Sequence, residues 1–228
     1  MLGDYLFNDR GHAGQVLSEH LLKYELVNPL ILALPRGGVP VAHEISRLLR
    51  VPMDVLIVRK IGAPFNPEYG IGAISENLIP FINAEAFLPE DHIEQDVKEI
   101  IENEKAEVLR RIKLYRGDRK LPDLKNRTVL LVDDGIATGV TAAAAGRYLR
   151  FTGAKKIILA VPVAPRNINI FVRENMDEII CPYTTSRFSG ISNWYRDFRQ
   201  VTDEDVLNIL SQSYPEQKKS NLDFSHFP

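Results

Sequence analysis

The chain has 228 residues, a formal net charge of −2 and 45% hydrophobic residues, enough to bury one large core. This near-neutral charge gives no electrostatic basis for binding nucleic acid or an acidic membrane surface, so we expect neither as a partner. The single cysteine, Cys181, excludes an internal disulfide and is typical of a reducing compartment. Because no secretion signal and no long apolar run are visible, the sequence predicts a cytoplasmic protein.

Segments of strand and helix character alternate along the chain, as in proteins built around a parallel sheet. Short apolar runs indicate strands, and apolar residues spaced three or four apart indicate helices. In chain order the sequence predicts a helix over 10–24, a strand over 30–34, a helix over 39–49, a strand over 53–58, a charged helix from 89 to about 115, a strand over 129–132, a helix start at 142–145, a strand over 156–161, a helix over 166–174 and a strand over 177–181.

Three segments are predicted to lie outside the sheet and its main helices. Segment 61–74 is interrupted by glycine and proline so often that we expect an irregular, mobile loop. The charged helix from 89 to about 115 has the pattern of a solvated lid or outer layer. The polar stretch 215–228 lacks periodicity and is expected to be disordered, which leaves 1–214 as one domain.

The most informative stretch, 129–145, runs from an apolar strand through two acids and a Gly/Thr turn into a helix. Gly135 and Gly139 let the backbone approach a ligand, and the N–H groups of a helix start attract anions. Thr138 and Thr141 add hydroxyl donors, although either one could instead cap the helix. The turn therefore predicts a phosphate site.

Two carboxylates, Asp133 and Asp134, end the strand before this turn. Because adjacent carboxylates repel each other and are costly to desolvate, they suit a ligand rich in hydroxyls or a cation. Ribose hydroxyls and Mg²⁺ both meet that need. The turn is not a Walker P-loop, since Val140 stands where that motif needs lysine, and it lacks the G-x-G-x-x-G of a dinucleotide site.

Basic residues follow two other predicted strands. Arg36, with Gly37 and Gly38 after it, offers a guanidinium and exposed N–H groups that suit pyrophosphate oxygens, although its arginine could also cap a helix or meet solvent. Arg59 and Lys60 follow the next strand, and Lys60 could equally be an ordinary surface lysine. Ligands of open parallel sheets lie beyond the carboxyl ends of the strands, so we expect these groups to converge.

The residues Asp133, Asp134, Thr138, Gly139 and Thr141 closely resemble the phosphoribosyl pyrophosphate (PRPP) signature of type I phosphoribosyltransferases. The likeness continues in ALPRGGVPVAHEI, VRKIGAPFNPEYGIGAISE and SGISNWYRDFRQVTDEDV, which resemble a bacterial and archaeal branch of predicted phosphoribosyltransferases of undefined substrate. It implies a three-layer Rossmann-like α/β fold with a central parallel sheet. It also implies a flexible loop within 61–83 and a small hood drawn from both terminal regions.

The resemblance implies transfer of the 5-phosphoribosyl group from PRPP to a nitrogenous base or amine, with release of pyrophosphate. It implies Mg²⁺ bound mainly through PRPP and pyrophosphate, no separate metal site on the protein, and allows a homodimer. The residues implied to be catalytic are Asp133, Asp134, Arg36 and Lys60. Those implied to bind substrate are Gly37, Gly38, Gly135, Ile136, Ala137, Thr138, Gly139, Val140, Thr141, Phe188 and Trp194.

Two questions stay open at this point. Ala137 stands where hypoxanthine- and guanine-type members commonly have an acid, so a 6-oxopurine acceptor is disfavoured, whereas adenine-type, orotate-like or amine acceptors remain. Phe188 and Trp194 could stack on a planar base or simply close a core. The alternative function is a protein that senses PRPP or nucleotides without turnover.

Overall fold

A five-stranded parallel sheet forms the centre of the protein. The computed structural model describes residues 5–82 and 94–213. The sheet contains β1 (Pro29–Ala33), β2 (Met53–Val55), β6 (Thr128–Val132), β7 (Lys156–Ala160) and β9 (Glu178–Ile180). Its strand order is β2-β1-β6-β7-β9, and every pairing is parallel. Strand β6 is therefore central, so the carboxylates that follow it emerge in the middle of the sheet edge.

Two smaller sheets, six α-helices and a short 3₁₀ helix complete the described part of the chain. An antiparallel sheet has the strand order β3 (Val58–Ala63), β4 (Asn66–Ser75) and β5 (Pro80–Ile82), and a short parallel pair joins β10 (Tyr183–Thr185) and β8 (Val163–Pro165). The helices are α1 (Arg10–Leu21), α2 (Gly38–Leu49), α3 (Glu94–Arg116), α4 (Val140–Phe151), α5 (Ile170–Glu174), the 3₁₀ helix Ile191–Trp194 and α6 (Asp203–Ser213).

Both faces of the central sheet are buried, which confirms the three-layer α/β fold. All five residues of β6 are buried, and alternate residues point to opposite faces. Leu130 and Val132 join the core cluster that contains Val39 and Ile45 of α2. Val129 and Leu131 join a second cluster, to which α4 contributes its apolar residues. Helices therefore cover the sheet on both sides, and β6 holds the following turn rigidly.

The glycine- and proline-rich segment is not irregular, so that prediction is wrong. Strands β3 and β4 pair antiparallel from Val58 opposite Ser75 onward, with register shifts around Gly62, and β5 extends the sheet. The glycines permit close backbone approach: a Cβ at Gly62 would lie 2.8 Å from Pro67 Cα, and one at Gly72 would lie 2.8 Å from Ile82 Cδ1. Gly62 and Gly72, which suggested a loop in the sequence, are therefore the residues that allow the strands to pair closely.

Several predicted boundaries also differ. The strand expected over 53–58 is two strands, because the chain leaves the parallel sheet after Val55 and enters β3 at Val58. The helix expected over 166–174 begins only at Ile170, where Asn169 accepts a hydrogen bond from the Phe171 N–H. The first helix ends at Leu21 instead of extending to residue 24. Residues 83–93, with the predicted start of the charged helix, and 214–228 lie outside the described residues.

Helix α3 is an outer layer that still contributes to the core. Val108 is fully buried, and Arg116 forms a buried ion pair with Glu76, which follows β4. Burial raises the pKa of Glu76, while the Arg116 charge acts in the opposite direction. In the two described ranges no helix is long and apolar enough to cross a membrane.

Candidate functional site

The turn between β6 and α4 has the backbone of an anion site. Gly139 adopts φ +79° at the N-cap, and a Cβ there would press against Val172. At the start of α4 the Ala143 N–H donates to the Gly139 carbonyl oxygen at 2.9 Å, which leaves the N–H groups of the first turn to other acceptors. Neither Thr138 nor Thr141 caps the helix, so their hydroxyls are not used for that purpose.

The rest of the turn is fixed by packing on one side and open on the other. Ile136 is buried, and its N–H donates to the Val163 carbonyl oxygen at 3.0 Å. A Cβ at Gly135 would lie 2.9 Å from Ile191 Cγ2, so the backbone passes close to the C-terminal region there. Ala137 and Thr138 are exposed. The turn is therefore held by packing at Gly135 and Ile136, and it is open to solvent at Ala137 and Thr138.

Asp134 is held by three hydrogen bonds, one of which is also an ion pair. Its Oδ2 accepts the Arg10 Nε–H at 2.7 Å, and both side chains are about one-tenth exposed. Its backbone N–H donates to Asp133 Oδ1 at 2.9 Å. Its carbonyl oxygen accepts the Tyr195 hydroxyl at 2.6 Å. The backbone of Asp134 is thus held on both sides, and Arg10 holds one carboxylate oxygen, Oδ2.

The two carboxylates are electrostatically strained. Burial, followed by the charge of Asp134, raises the pKa of Asp133 well above its usual range. Burial also raises the pKa of Asp134, although the Arg10 guanidinium acts in the opposite direction. A ligand that brings hydroxyl donors or positive charge to this pair would relieve the strain. This is the chemical demand that the sequence predicted for Asp133 and Asp134.

The loop after β1 packs directly against these acids. A Cβ at Gly37 would lie 2.7 Å from Asp134 Cγ, and one at Gly38 would lie 2.9 Å from Asp133 Cα. The two glycines therefore allow the loop and the signature turn to touch. The Gly38 N–H donates to the Leu34 carbonyl oxygen at 3.0 Å, so the prediction of an exposed N–H group is wrong for this residue. Arg36 directly precedes Gly37 and lines the same pocket as Asp134, as predicted from the sequence. The Pro35–Arg36 peptide bond is cis.

Arg36 is also linked to two helices through Asp203. Its Nη1 lies 3.6 Å from Asp203 Oδ1, and Asp203 is the first residue of α6. The same carboxylate accepts the Tyr115 hydroxyl at 2.5 Å and an Arg110 N–H at 3.2 Å, both from α3. The Tyr115 bond is the main reason that the pKa of Asp203 lies below its usual value. Asp203 therefore stays charged and joins α3, α6 and the Arg36 loop.

A pocket of about 350 Å³ opens over this arrangement. The Arg10 guanidinium covers the Phe198 ring, with its central carbon 3.8 Å from the ring centroid. Sequence reasoning treated Arg10 only as a helix start and missed it, together with Phe198 and Asp203. The lining residues are Arg10, Arg36, Gly37, Asp134, Phe198, Gln200 and Val201.

The terminal regions meet beside this pocket, as the predicted hood required. The Phe7 N–H donates to the Trp194 carbonyl oxygen at 3.0 Å, and the Arg196 N–H donates to the Phe7 carbonyl oxygen at 2.8 Å. Phe188 and Trp194 stack on each other, with ring centroids 6.4 Å apart, and pack against the cluster that contains Phe7. This packing fits the core-closing alternative for Phe188 and Trp194, and their contact with a base stays a prediction.

Lys60 lies inside the antiparallel strand β3, so the prediction that it follows a strand of the parallel sheet is wrong, and its contact with pyrophosphate stays a prediction. It lines a second pocket, of about 450 Å³, with Arg59 and part of α3. Arg59 forms an ion pair with Glu104 at 2.7 Å. A Cβ at Gly70 would lie 3.1 Å from Lys60 Cδ and 3.8 Å from Val140 Cγ2, so the Lys60 stem nevertheless approaches the start of α4.

An open parallel α/β sheet with paired acids before a turn at a helix N-terminus is an arrangement suited to a phosphorylated ligand. The family model described as "Phosphoribosyl transferase domain" matches residues 10–188. The chain therefore belongs to the phosphoribosyl transferase family.

Relatives and solved structures agree with this assignment. The chain is 39% identical over 210 residues to "Putative phosphoribosyl transferase Rv0571c" of Mycobacterium tuberculosis, a match that covers 92% of this chain and 47% of the relative. The chain thus spans about half the length of the curated relatives it matches. The crystal structure of TT1426 from Thermus thermophilus is 36% identical, with a TM-score of 0.75 over 90% of this chain and 98% of that one. A Neisseria gonorrhoeae hypothetical protein, solved with bound ppGpp, shares the fold at 12% identity and a TM-score of 0.51, covering 91% and 94% of the two chains.

Proposed function

We propose that this protein transfers the 5-phosphoribosyl group of PRPP to a nitrogenous base or amine and releases pyrophosphate. The observation that carries the proposal is the contact between the two strand-end loops: the Gly37 backbone lies against Asp134, at the turn that leads into α4. This contact brings candidate sites for pyrophosphate and for ribose phosphate next to each other. The family membership and the relatives' names support the same activity.

Each part of PRPP has a suitable partner in this proposal. The turn 135–141 binds the 5′-phosphate with N–H groups other than that of Ile136, which donates to Val163, and with the hydroxyls of Thr138 and Thr141. Asp133 and Asp134 accept hydrogen bonds from the ribose hydroxyls. Arg36 and the N–H group of Gly37 bind the pyrophosphate, and Gly38 lets the loop approach the acids closely. Lys60 adds positive charge from the antiparallel sheet.

The protein's contribution to the chemistry is positioning and charge stabilisation. The bond between the anomeric carbon and pyrophosphate breaks as the acceptor nitrogen approaches from the opposite face, and the ribose ring gains positive charge. Asp133 and Asp134 lie where that charge is stabilised, and Arg36 stabilises the negative charge on the departing group. Exclusion of water is needed because hydrolysis of PRPP competes with transfer.

Mg²⁺ is part of the proposal as an ion carried by the substrate. Within the described residues no group of three His, Cys, Asp or Glu could hold a metal by itself. The carboxylates Asp133 and Asp134 fit an ion that takes its other ligands from phosphate oxygens and water, as Mg²⁺ usually does. When bound, Mg²⁺ supplies neutralisation of charge on the departing pyrophosphate.

The acceptor class follows from what the turn lacks. Ala137 is exposed and has no side chain that could read a 6-oxopurine, so adenine-type, orotate-like or amine acceptors are favoured. Phe188 and Trp194 are the candidates for stacking on such an acceptor. A cytoplasmic setting and a homodimer complete the proposal, and light scattering of the purified protein measures the latter.

The test is pyrophosphate release by the purified protein from PRPP and Mg²⁺, against a panel of purines, pyrimidines and simple amines. Release that depends on one acceptor and is lost in Asp134→Asn supports the transferase and names its substrate. PRPP binding without release for any acceptor would contradict a transferase and favour a PRPP-sensing protein. Arg47→Gln is a matched surface control, because Arg47 pairs with Glu44 on the exposed side of α2.

A further inference from the structure

Arg10 is the one residue of α1 that reaches the carboxylates of the signature turn in the described contacts. Its Nε–H donates to Asp134 Oδ2 at 2.7 Å, and its Nη1 donates to the Arg199 carbonyl oxygen at 2.8 Å. The Phe198 ring lies against the guanidinium at 3.8 Å. Together with the Tyr195 ring at 6.0 Å, four contacts thus hold the Arg10 side chain in one place, and this side chain is only about one-tenth exposed.

These contacts leave part of the guanidinium available. An arginine has five N–H donors. Among the described residues, Arg10 donates hydrogen bonds from its Nε and Nη1 only, so its Nη2 has no acceptor there. The side chain lines the pocket of about 350 Å³, so these donors belong to a group at the pocket wall.

The charge of the pocket favours an anion. Two guanidinium groups, those of Arg10 and Arg36, line it with a single carboxylate, Asp134. The ion pair of Arg10 with Asp134 is short, but Arg36 is only 3.6 Å from Asp203, which is a long contact shared with two other partners. The Arg36 charge is therefore incompletely matched, and Gln200 adds an amide to the same wall.

We propose that Arg10 is a second arginine of the pyrophosphate site, which contacts a diphosphate oxygen through Nη2 while its Nε stays on Asp134. This assignment rests on the proposed function and extends it by one ligand contact. Because one guanidinium then touches both the ribose-binding carboxylate and the leaving group, Arg10 joins the two halves of the PRPP site. Phe198 and the Arg199 carbonyl fix the plane of the guanidinium for this role.

A purely positioning role for Arg10 makes a different prediction. If Arg10 only orients Asp134, its loss affects ligands that contact Asp134, which are ribose phosphates, and has no effect once Asp134 is removed. If Arg10 contacts the diphosphate, its loss weakens pyrophosphate binding whether or not Asp134 is present. The Asp134→Asn background therefore separates the two roles.

The experiment is calorimetric titration of magnesium pyrophosphate, and separately of ribose 5-phosphate, into six proteins. They are the wild type, Arg10→Gln, Arg10→Lys, Asp134→Asn, the double variant Arg10→Gln/Asp134→Asn and the surface control Arg47→Gln. We expect Arg10→Gln to weaken pyrophosphate binding about tenfold or more in both backgrounds, as loss of a charge-assisted hydrogen bond does. Arg10→Lys, which keeps the charge but loses the fork, should retain part of the affinity.

The outcomes separate this inference from the proposed function. Equal pyrophosphate affinity of Asp134→Asn and the double variant would overturn the Arg10 contact, even where wild-type binding is strong. Failure of the wild type to bind either ligand would overturn the proposed function as well. Thermal melting of each variant identifies any that fails to fold. If Arg10→Gln does not fold, Arg10→Lys decides: weaker pyrophosphate binding with intact ribose 5-phosphate binding in the folded variant supports the contact. Unchanged pyrophosphate binding in folded Arg10→Lys and Arg10→Gln contradicts it.

Discussion

Substitution of Gly37 by alanine should displace the carboxylate that the proposed chemistry needs. The new Cβ would lie 2.1 Å from Asp134 Oδ2, whereas real Cβ atoms essentially never come closer than 3.0 Å to another atom, so either the loop or the carboxylate must shift by about 0.9 Å. Asp134 cannot move freely because Arg10 holds its Oδ2 at 2.7 Å. We expect a loss of about 1–3 kcal/mol in the free energy of unfolding, as overpacking of a tight site usually costs.

The effect on function should be larger than the effect on stability. A displacement approaching 1 Å at a reacting centre can reduce turnover on the order of a hundredfold. PRPP titration and pyrophosphate release, each compared with chemical denaturation, measure the two effects. Gly11→Ala is the matched control, because its Cβ would lie 3.2 Å from the end of the Asp9 side chain, at the surface. A folded Gly37→Ala protein that binds and turns over PRPP like the wild type would refute this reasoning.

Three further predictions concern the charges around the site. Burial and Asp134 raise the pKa of Asp133 in the folded state, so the folded protein binds that proton more tightly and wild-type stability falls as pH rises above the usual carboxyl range. Asp133→Asn should therefore have a free energy of unfolding about 0.5–2 kcal/mol higher than the wild type near neutrality, with a smaller difference in acid, and should be inactive. Chemical denaturation at several pH values measures the difference. Lower stability of Asp133→Asn at every pH would contradict the prediction. Tyr115→Phe removes a 2.5 Å hydrogen bond to Asp203 and should lower the free energy of unfolding, measured in urea, by about 1–3 kcal/mol. A change near zero would show that Asp203 does not need this donor. Lys60→Gln should weaken pyrophosphate in titrations more than ribose 5-phosphate, and equal losses would remove Lys60 from the pyrophosphate site.

The local pattern was sufficient to predict the centre of the site. An apolar strand, two acids, a Gly/Thr turn and a helix start are contiguous, so their geometry follows from short-range rules, and the structure has β6 and α4 there. Asp133 and Asp134 could be singled out because burial of adjacent carboxylates is costly wherever it occurs. Arg36 could be placed beside them because parallel strands end at a common edge.

The remaining features depend on contacts between distant parts of the chain. Arg10 and Asp134 are 124 residues apart, and nothing in the sequence around Arg10 distinguishes it from an ordinary helix start. The antiparallel sheet was missed because Gly62 and Gly72 are read as breakers locally, although close strand approach requires them. The position of Lys60 was mispredicted for the same reason, because the chain leaves the parallel sheet before β3 and Lys60 lies in β3.

Direct titration of PRPP with Mg²⁺ into the wild type and Asp134→Asn tests the central claim, that the turn after β6 and the loop after β1 form one PRPP site. We predict saturable binding by the wild type, with competition from both pyrophosphate and ribose 5-phosphate, and loss of PRPP binding in a folded Asp134→Asn protein. Absence of wild-type binding, or equal binding by the two proteins, would contradict the claim.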